Sequence, residues 1–318
     1  MDAVPLAWSE FSWWRPRDPD ALEWRTGRLF GQAPRDVRAM VPTVGQMPYL
    51  GDVSRRWADR WVVYRPLTQE PALFRDFADL EPDEPSFSGF AQTFGPLGLP
   101  YETTFSEGEQ PRPAESFRGW LREWELLRGV VLLLTLISRS RYEALADRIG
   151  LDPDGAVLKS PDEARLLPLR GPSPPTTIAS RDLHPQLWEE AAGIPSAARR
   201  RVHLARGWIQ ATVNTQLEMH GGLHPLLVRA VGLEGRLHFR AVPRSLAQAL
   251  WFQCAQAIDE RRDFKRCANC PKWMLIAPFH AGGRRTSAKF CSDLCRLQDW
   301  RKPEPKRPQK RKTKRRPR

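Results

Sequence analysis

Cysteine is scarce in this chain. Only five occur among 318 residues, too few for a disulfide-stapled scaffold of this size. Long apolar runs are missing as well. The longest, Val130–Ile137 ("VVLLLTLI"), falls far short of the about 20 residues a membrane-spanning helix needs. The opening "MDAVPLAWSEFSWW" has no basic stretch followed by an apolar one, so no secretion signal is expected. No HExxH, GxxxxGKS/T, GxSxG or GxGxxG pattern stands in a context that would make it work, so no enzymatic activity is expected. Together these absences point to a cytoplasmic protein without a membrane partner. In that compartment neighbouring cysteines hold metal rather than disulfides.

What is plentiful is tryptophan, proline and positive charge. Thirteen tryptophans within 41% hydrophobic residues suffice for a core, while thirty prolines imply many extended or turned connections. The net charge of +13 is unevenly spread. Residues 301–318 hold eleven Lys/Arg against one Glu, and residues 261–300 hold nine against three Asp, which leaves −3 for residues 1–260. Such asymmetry points to a polyanionic partner at one end of the molecule.

The chain reads as mostly α. Residues 1–60, rich in Trp, Pro and Arg, read as loops and short helices. Phe74, Phe77 and Leu80 share one helix face, as do Phe87, Phe90, Ala91 and Phe94 before "GPLG". A long central helix is expected over 113–149, with Pro113 in its first turn and Gly150 as its stop. From about 151 to 195 the chain is polar and proline-rich, a surface connection. Ser196 suits the cap of a second long helix to about Met219. "GRLHFRAV" alternates like a strand, and "PRSLAQALWFQCAQAIDERRDF" reads as a third helix leading into the cysteines. Cys254, on that helix, is expected to fill core.

The other four cysteines form a Cys-x2-Cys pair and a Cys-x3-Cys pair: Cys267, Cys270, Cys291 and Cys295. Zn²⁺ takes four tetrahedral thiolates, and such pairs let one backbone turn supply two of them. "KWMLIAP" and "TSAKF" read as two strands, and Ser292 as the cap of a helix bearing Cys295. Knuckle, hairpin and helix in that order are the treble-clef arrangement. One structural Zn²⁺ per chain is expected, since a closed shell leaves no position for a reacting water. His280 lies between the pairs but is not needed as a ligand.

At this module the chain resembles a known group. "FKRCANCPKWMLI" followed by "KFCSDLCRLQDWRK" looks like the carboxy-terminal zinc finger of bacterial proteins related to the CGNR zinc-finger group. In those proteins an α-helical region of the kind called ABATE precedes the finger, and they are described as stress-induced transcription regulators. "YRPLTQEPALFRDFADL", "FAQTFGPLG", "VNTQL" and "RAVPRSLAQALWFQCAQAI" extend the likeness upstream. The resemblance implies zinc ligation by Cys267, Cys270, Cys291 and Cys295. "CRLQ" stands where the group has its naming signature, so the roles of that signature's Asn and Arg do not carry over.

The expected organisation is a helical ABATE-like domain over 1–262, a four-cysteine zinc finger over 263–302 and a disordered basic tail over 303–318. Lys272, Arg284, Arg285, Lys289 and Arg296 surround the cysteines. Arg301, Lys302, Lys306, Arg307, Lys310, Arg311 and Lys312 follow as an arm. These residues are the expected contacts to nucleic acid, with DNA ahead of RNA. Trp273 and Trp300 stand among them, either covering the module or meeting bases. A homodimer through the helical domain fits this reading. The competing readings are a protein–protein adaptor with purely structural zinc, and an RNA-binding factor.

Overall fold

The computed structural model describes residues 13–17, 22–25, 28–31, 61–99, 102–104, 112–152, 155–158, 178–179, 185–219, 224–229, 237–276 and 284–301. Helix predominates among them. The amino-terminal part nevertheless contributes strands where loops and short helices were expected. β1 (Trp13–Pro16), β2 (Leu22–Arg25) and β3 (Arg28–Gly31) precede β4 (Trp61–Tyr64), which pairs antiparallel with β1, Trp13 opposite Tyr64. Aromatic and β-branched residues fit a pleated, half-buried surface, and here pairing partners from elsewhere in the chain make use of that preference.

After β4 come α1 (Pro66–Gln69), α2 (Leu73–Ala78) and α3 (Glu84–Phe94), the last capped by Asp83, whose carboxylate accepts the Ser86 N–H at 2.8 Å. The two expected helix faces are both present and both buried. Phe77 packs on Phe87 and Phe90, and all three rings lie within 6.2 Å of one another or of Trp120. Edge-to-face and offset rings of this kind add to plain burial.

β5 (Glu102–Thr104) and β6 (Arg112–Ser116) complete a four-stranded sheet in the order β2-β3-β6-β5. α4 (Phe117–Ser138) follows directly and is the central helix, shorter than expected at both ends. Pro113 lies in β6, and Ser116, not Pro113, begins the helix by accepting the Gly119 N–H. The helix stops at Ser138, because Ser140 turns to φ 53° and ends the ladder well before Gly150.

The reason α4 starts late is Glu115. Its fully buried carboxylate accepts the amides of Leu97, Gly98 and Leu99 and the Trp120 indole N–H. That ties the "GPLG" loop to β6. Gly98 is required in this loop twice over: its φ is +77°, and a Cβ there would lie 2.8 Å from Ser245 Cβ.

β7 (Ile149–Asp152), β8 (Gly155–Leu158) and β9 (Ile178–Ala179) form a small sheet, and α5 (Pro185–Ala192) precedes α6 (Ala197–Met219). The expected long connection over 151–195 thus contains strands and a helix in its described parts. α6 has the expected start and end. β10 (His224–Arg229) and β11 (Leu237–Val242) form an antiparallel hairpin. α7 (Leu246–Asp259) begins at Ser245, whose hydroxyl accepts the Gln248 N–H, and the Ala247 amide reaches Leu97 O at 2.9 Å.

α7 is buried along most of its length. Gln253 donates to Pro66 O and Glu70 O and accepts from the Phe74 amide, so one side chain joins α7 to α1 and α2. Trp251 donates to Glu123 of α4 at 2.8 Å. Cys254 is fully buried and its thiol is pushed up to about 12 by that burial, as core filler should be. No helix among the described residues is long and apolar enough to cross a membrane.

Candidate metal centre

The cysteine segment follows α7, with three residues, 260–262, between the helix and its first strand. β12 (Asp263–Arg266) and β13 (Trp273–Ile276) pair antiparallel, Arg266 opposite Trp273, and residues 267–272 make the turn between them. Cys267 and Cys270 sit on this turn, which closes when the Cys267 amide donates to Lys272 O at 2.9 Å. The Ala268 amide donates to Lys289 O at 2.8 Å and draws the second cysteine pair alongside. Cys291 precedes α8 (Asp293–Trp300), and Ser292 caps that helix by accepting the Cys295 N–H at 3.2 Å. Cys295 is therefore held in the first turn, as its spacing from Ser292 implies.

One expected element is replaced. Residues 286–290 ("TSAKF") form no strand. β13 already has β12 along one edge, and on the other edge the described residues form a single bridge, Ile276 beside Arg284, with the Arg284 amide donating to Leu275 O at 2.7 Å. The hairpin of the module thus lies before and after the first cysteine pair rather than between the two pairs.

The four Sγ atoms all lie within 4.8 Å of one another, with Cys270–Cys291 and Cys291–Cys295 at 3.5 Å. A tetrahedron of thiolates about 2.3 Å from a metal has sulfur–sulfur edges of about 3.8 Å, close to this spacing. All four thiols are free of disulfides. Cys267 and Cys295 are buried, and Met274 and Phe290 pack beside them. The amides of Asn269 and Cys291 point at Cys267 Sγ at 3.5 and 3.4 Å. Burial works against the Cys267 thiolate, but the amide donors outweigh it and bring the thiol down to about 6. Four converging sulfurs, with the Cys267 and Cys295 thiols both shifted toward the thiolate, make a site able to hold a metal ion.

The module rests on α2. The Trp273 amide donates to Asp76 at 2.9 Å and its indole N–H to Asp79, which also takes Arg266 at 2.6 Å. Lys272 pairs with Glu70 at 3.2 Å and lies over the Phe94 ring. Phe264 meets Phe74 edge-on at 5.3 Å. The Arg75 guanidinium lies between the rings of Phe264 and Trp273, 4.7 and 5.0 Å from their centroids. Burial pushes Asp76 up to about 7, against the opposing pull of the Trp273 N–H and Lys272. Glu70, Arg75, Asp76 and Asp79 were not singled out from sequence. Their only signal there is the three-residue spacing of the two aspartates beside the Phe74–Phe77 face.

The expected nucleic-acid contacts divide by position. Arg285 and Lys289 are exposed. Arg284 is exposed but donates to Cys291 O at 2.6 Å, and Arg296 pairs with Asp293 at 3.3 Å on α8. Lys272 faces the body through Glu70, while Arg301 closes α8 and is exposed. Lys302, Lys306, Arg307, Lys310, Arg311, Lys312 and His280 lie outside the described residues. The two tryptophans separate sharply. Trp273 is engaged by α2, whereas Trp300 is 83% exposed. No protein-family model, curated protein or solved structure matches this chain.

Proposed function

We propose that this is a nucleic-acid-binding protein, a bacterial transcription regulator that engages DNA through its carboxy-terminal cysteine module and basic arm. The observation carrying the reading is the charge distribution: residues 261–318 hold +16 while residues 1–260 hold −3. The resemblance of the cysteine module to CGNR-related zinc fingers supports it. In this reading the metal is one structural Zn²⁺, all-thiolate ligation being typical of zinc. The module over 263–302 is a treble-clef variant whose hairpin brackets the first cysteine pair. The body over 1–262 senses a signal or dimerises, and residues 303–318 form a disordered arm that neutralises phosphates. The setting is the cytoplasm, and the protein is not an enzyme.

Salt titration tests the reading. The intact protein should bind duplex DNA at low salt with log K falling steeply against log salt. Deleting residues 301–318 should weaken binding and flatten that slope by several units, since each phosphate contact contributes about 0.9. Absence of any nucleic-acid affinity at low salt would leave the adaptor reading, with the tryptophan-rich body as the working surface.

A further inference from the structure

Six large apolar side chains are exposed among the described residues, and three of them share the eight-residue helix α8: Leu294 at 63%, Leu297 at 46% and Trp300 at 83%. Successive steps of three residues turn a helix by about −60° each, so these side chains form one stripe. Arg301 falls within the same arc. An apolar strip on so charged a segment marks a contact surface.

Charge decides what covers it. Arg285, Lys289, Arg296 and Arg301 are all exposed, Arg296 beside the exposed Asp293 with which it pairs, in a segment that carries +16. A second copy docking through the same face would bring two such segments together, and a basic partner would be repelled likewise. The occupant is therefore anionic. We infer that it is an unpaired nucleic-acid strand, whose bases stack on Trp300 and lie along Leu297 and Leu294 while Arg296 and Arg301 meet its phosphates.

Three features favour a single strand over the edges of a duplex. Reading a groove needs donors and acceptors aimed at base edges, and the strip offers leucines. Gln298, the amide side chain beside the strip, already accepts from Asn269 at 3.0 Å. An indole this exposed finds a π-face only on a base that has left its stack. Trp273 cannot serve, because its N–H is given to Asp79 and its ring lies beside the guanidinium groups of Arg75 and Arg266.

The inference rests on the nucleic-acid reading above and narrows it. The test uses the full metal-loaded chain at low salt, with oligothymidylate and a mixed-sequence duplex of equal length as probes, and an acidic peptide as control. Trp300→Ala should weaken oligothymidylate binding by about 5- to 100-fold, the loss of one or more stacked bases. Duplex affinity should stay unchanged, and Trp300→Phe should keep most of the single-strand affinity. Oligothymidylate should quench the tryptophan emission of the native chain, and quench it less in Trp300→Ala. Equal losses on duplex and single strand, or no loss on either while duplex still binds, would overturn the inference and leave the nucleic-acid reading standing. Binding of the acidic peptide alone would overturn both.

Discussion

At the scale of single residues, the most consequential side chain is Glu115. Four donors converge on its two oxygens, from Leu97, Gly98, Leu99 and Trp120. Burial still pushes its carboxyl up to about 7, because desolvation outweighs those donors. A carboxyl raised from 4.5 in the unfolded chain contributes its full stability below that value and loses it as pH rises through 7. Glu115→Gln places an NH2 group against N–H donors and should cost about 1–3 kcal/mol. Urea midpoints at pH 5 and pH 8 should show the wild type's advantage over this variant narrowing at the higher pH. A gap that widens with pH would contradict the assignment.

At the scale of elements, α2 does two jobs. Phe74 and Phe77 point into the aromatic core, while Asp76 and Asp79 receive the cysteine hairpin. The exposed Arg266–Asp79 pair contributes little by itself. The half-buried Asp76–Trp273 bond is worth more, because its loss strands a backbone N–H. Asp76→Ala should speed amide exchange across β12–β13 while the metal content stays the same, and mass-spectrometric exchange would detect it. Most helices were legible at this scale. Periodicity located α2 and α3 and the Ser196 cap located α6, whereas Asp83 and Ser245, which cap α3 and α7, were not singled out from sequence. α4 was misjudged at its start because a proline beside a helical pattern resembles a first turn. Only Glu115, reaching eighteen residues back to Leu97, shows why residues 112–116 are a strand.

At the scale of the whole molecule, two parts held together in different ways meet. The body is held by buried aromatic and aliphatic side chains, the module by four converging sulfurs. Chelation should therefore act locally. Metal analysis should find one zinc per chain, lost in Cys267→Ser and in Cys291→Ser. Removing it should change the near-UV signal of Trp273 and Trp300 while most far-UV helical signal remains. A folded, metal-free preparation with an unchanged module would refute the metal assignment. Global loss of helix would show that the body depends on the module more than its own core implies.

The cysteine quartet, the helix that bears Cys295 and the basic end of the chain were determined by sequence alone, because cysteine spacing, capping and charge are local properties. Tertiary structure decided which strand pairs with β13, since an edge already occupied by β12 cannot be read from "TSAKF". It also decided the fates of the two tryptophans. Both sit among arginines and lysines in sequence, but acids on α2, nearly two hundred residues upstream of Trp273, take that indole into the body and leave Trp300 to solvent.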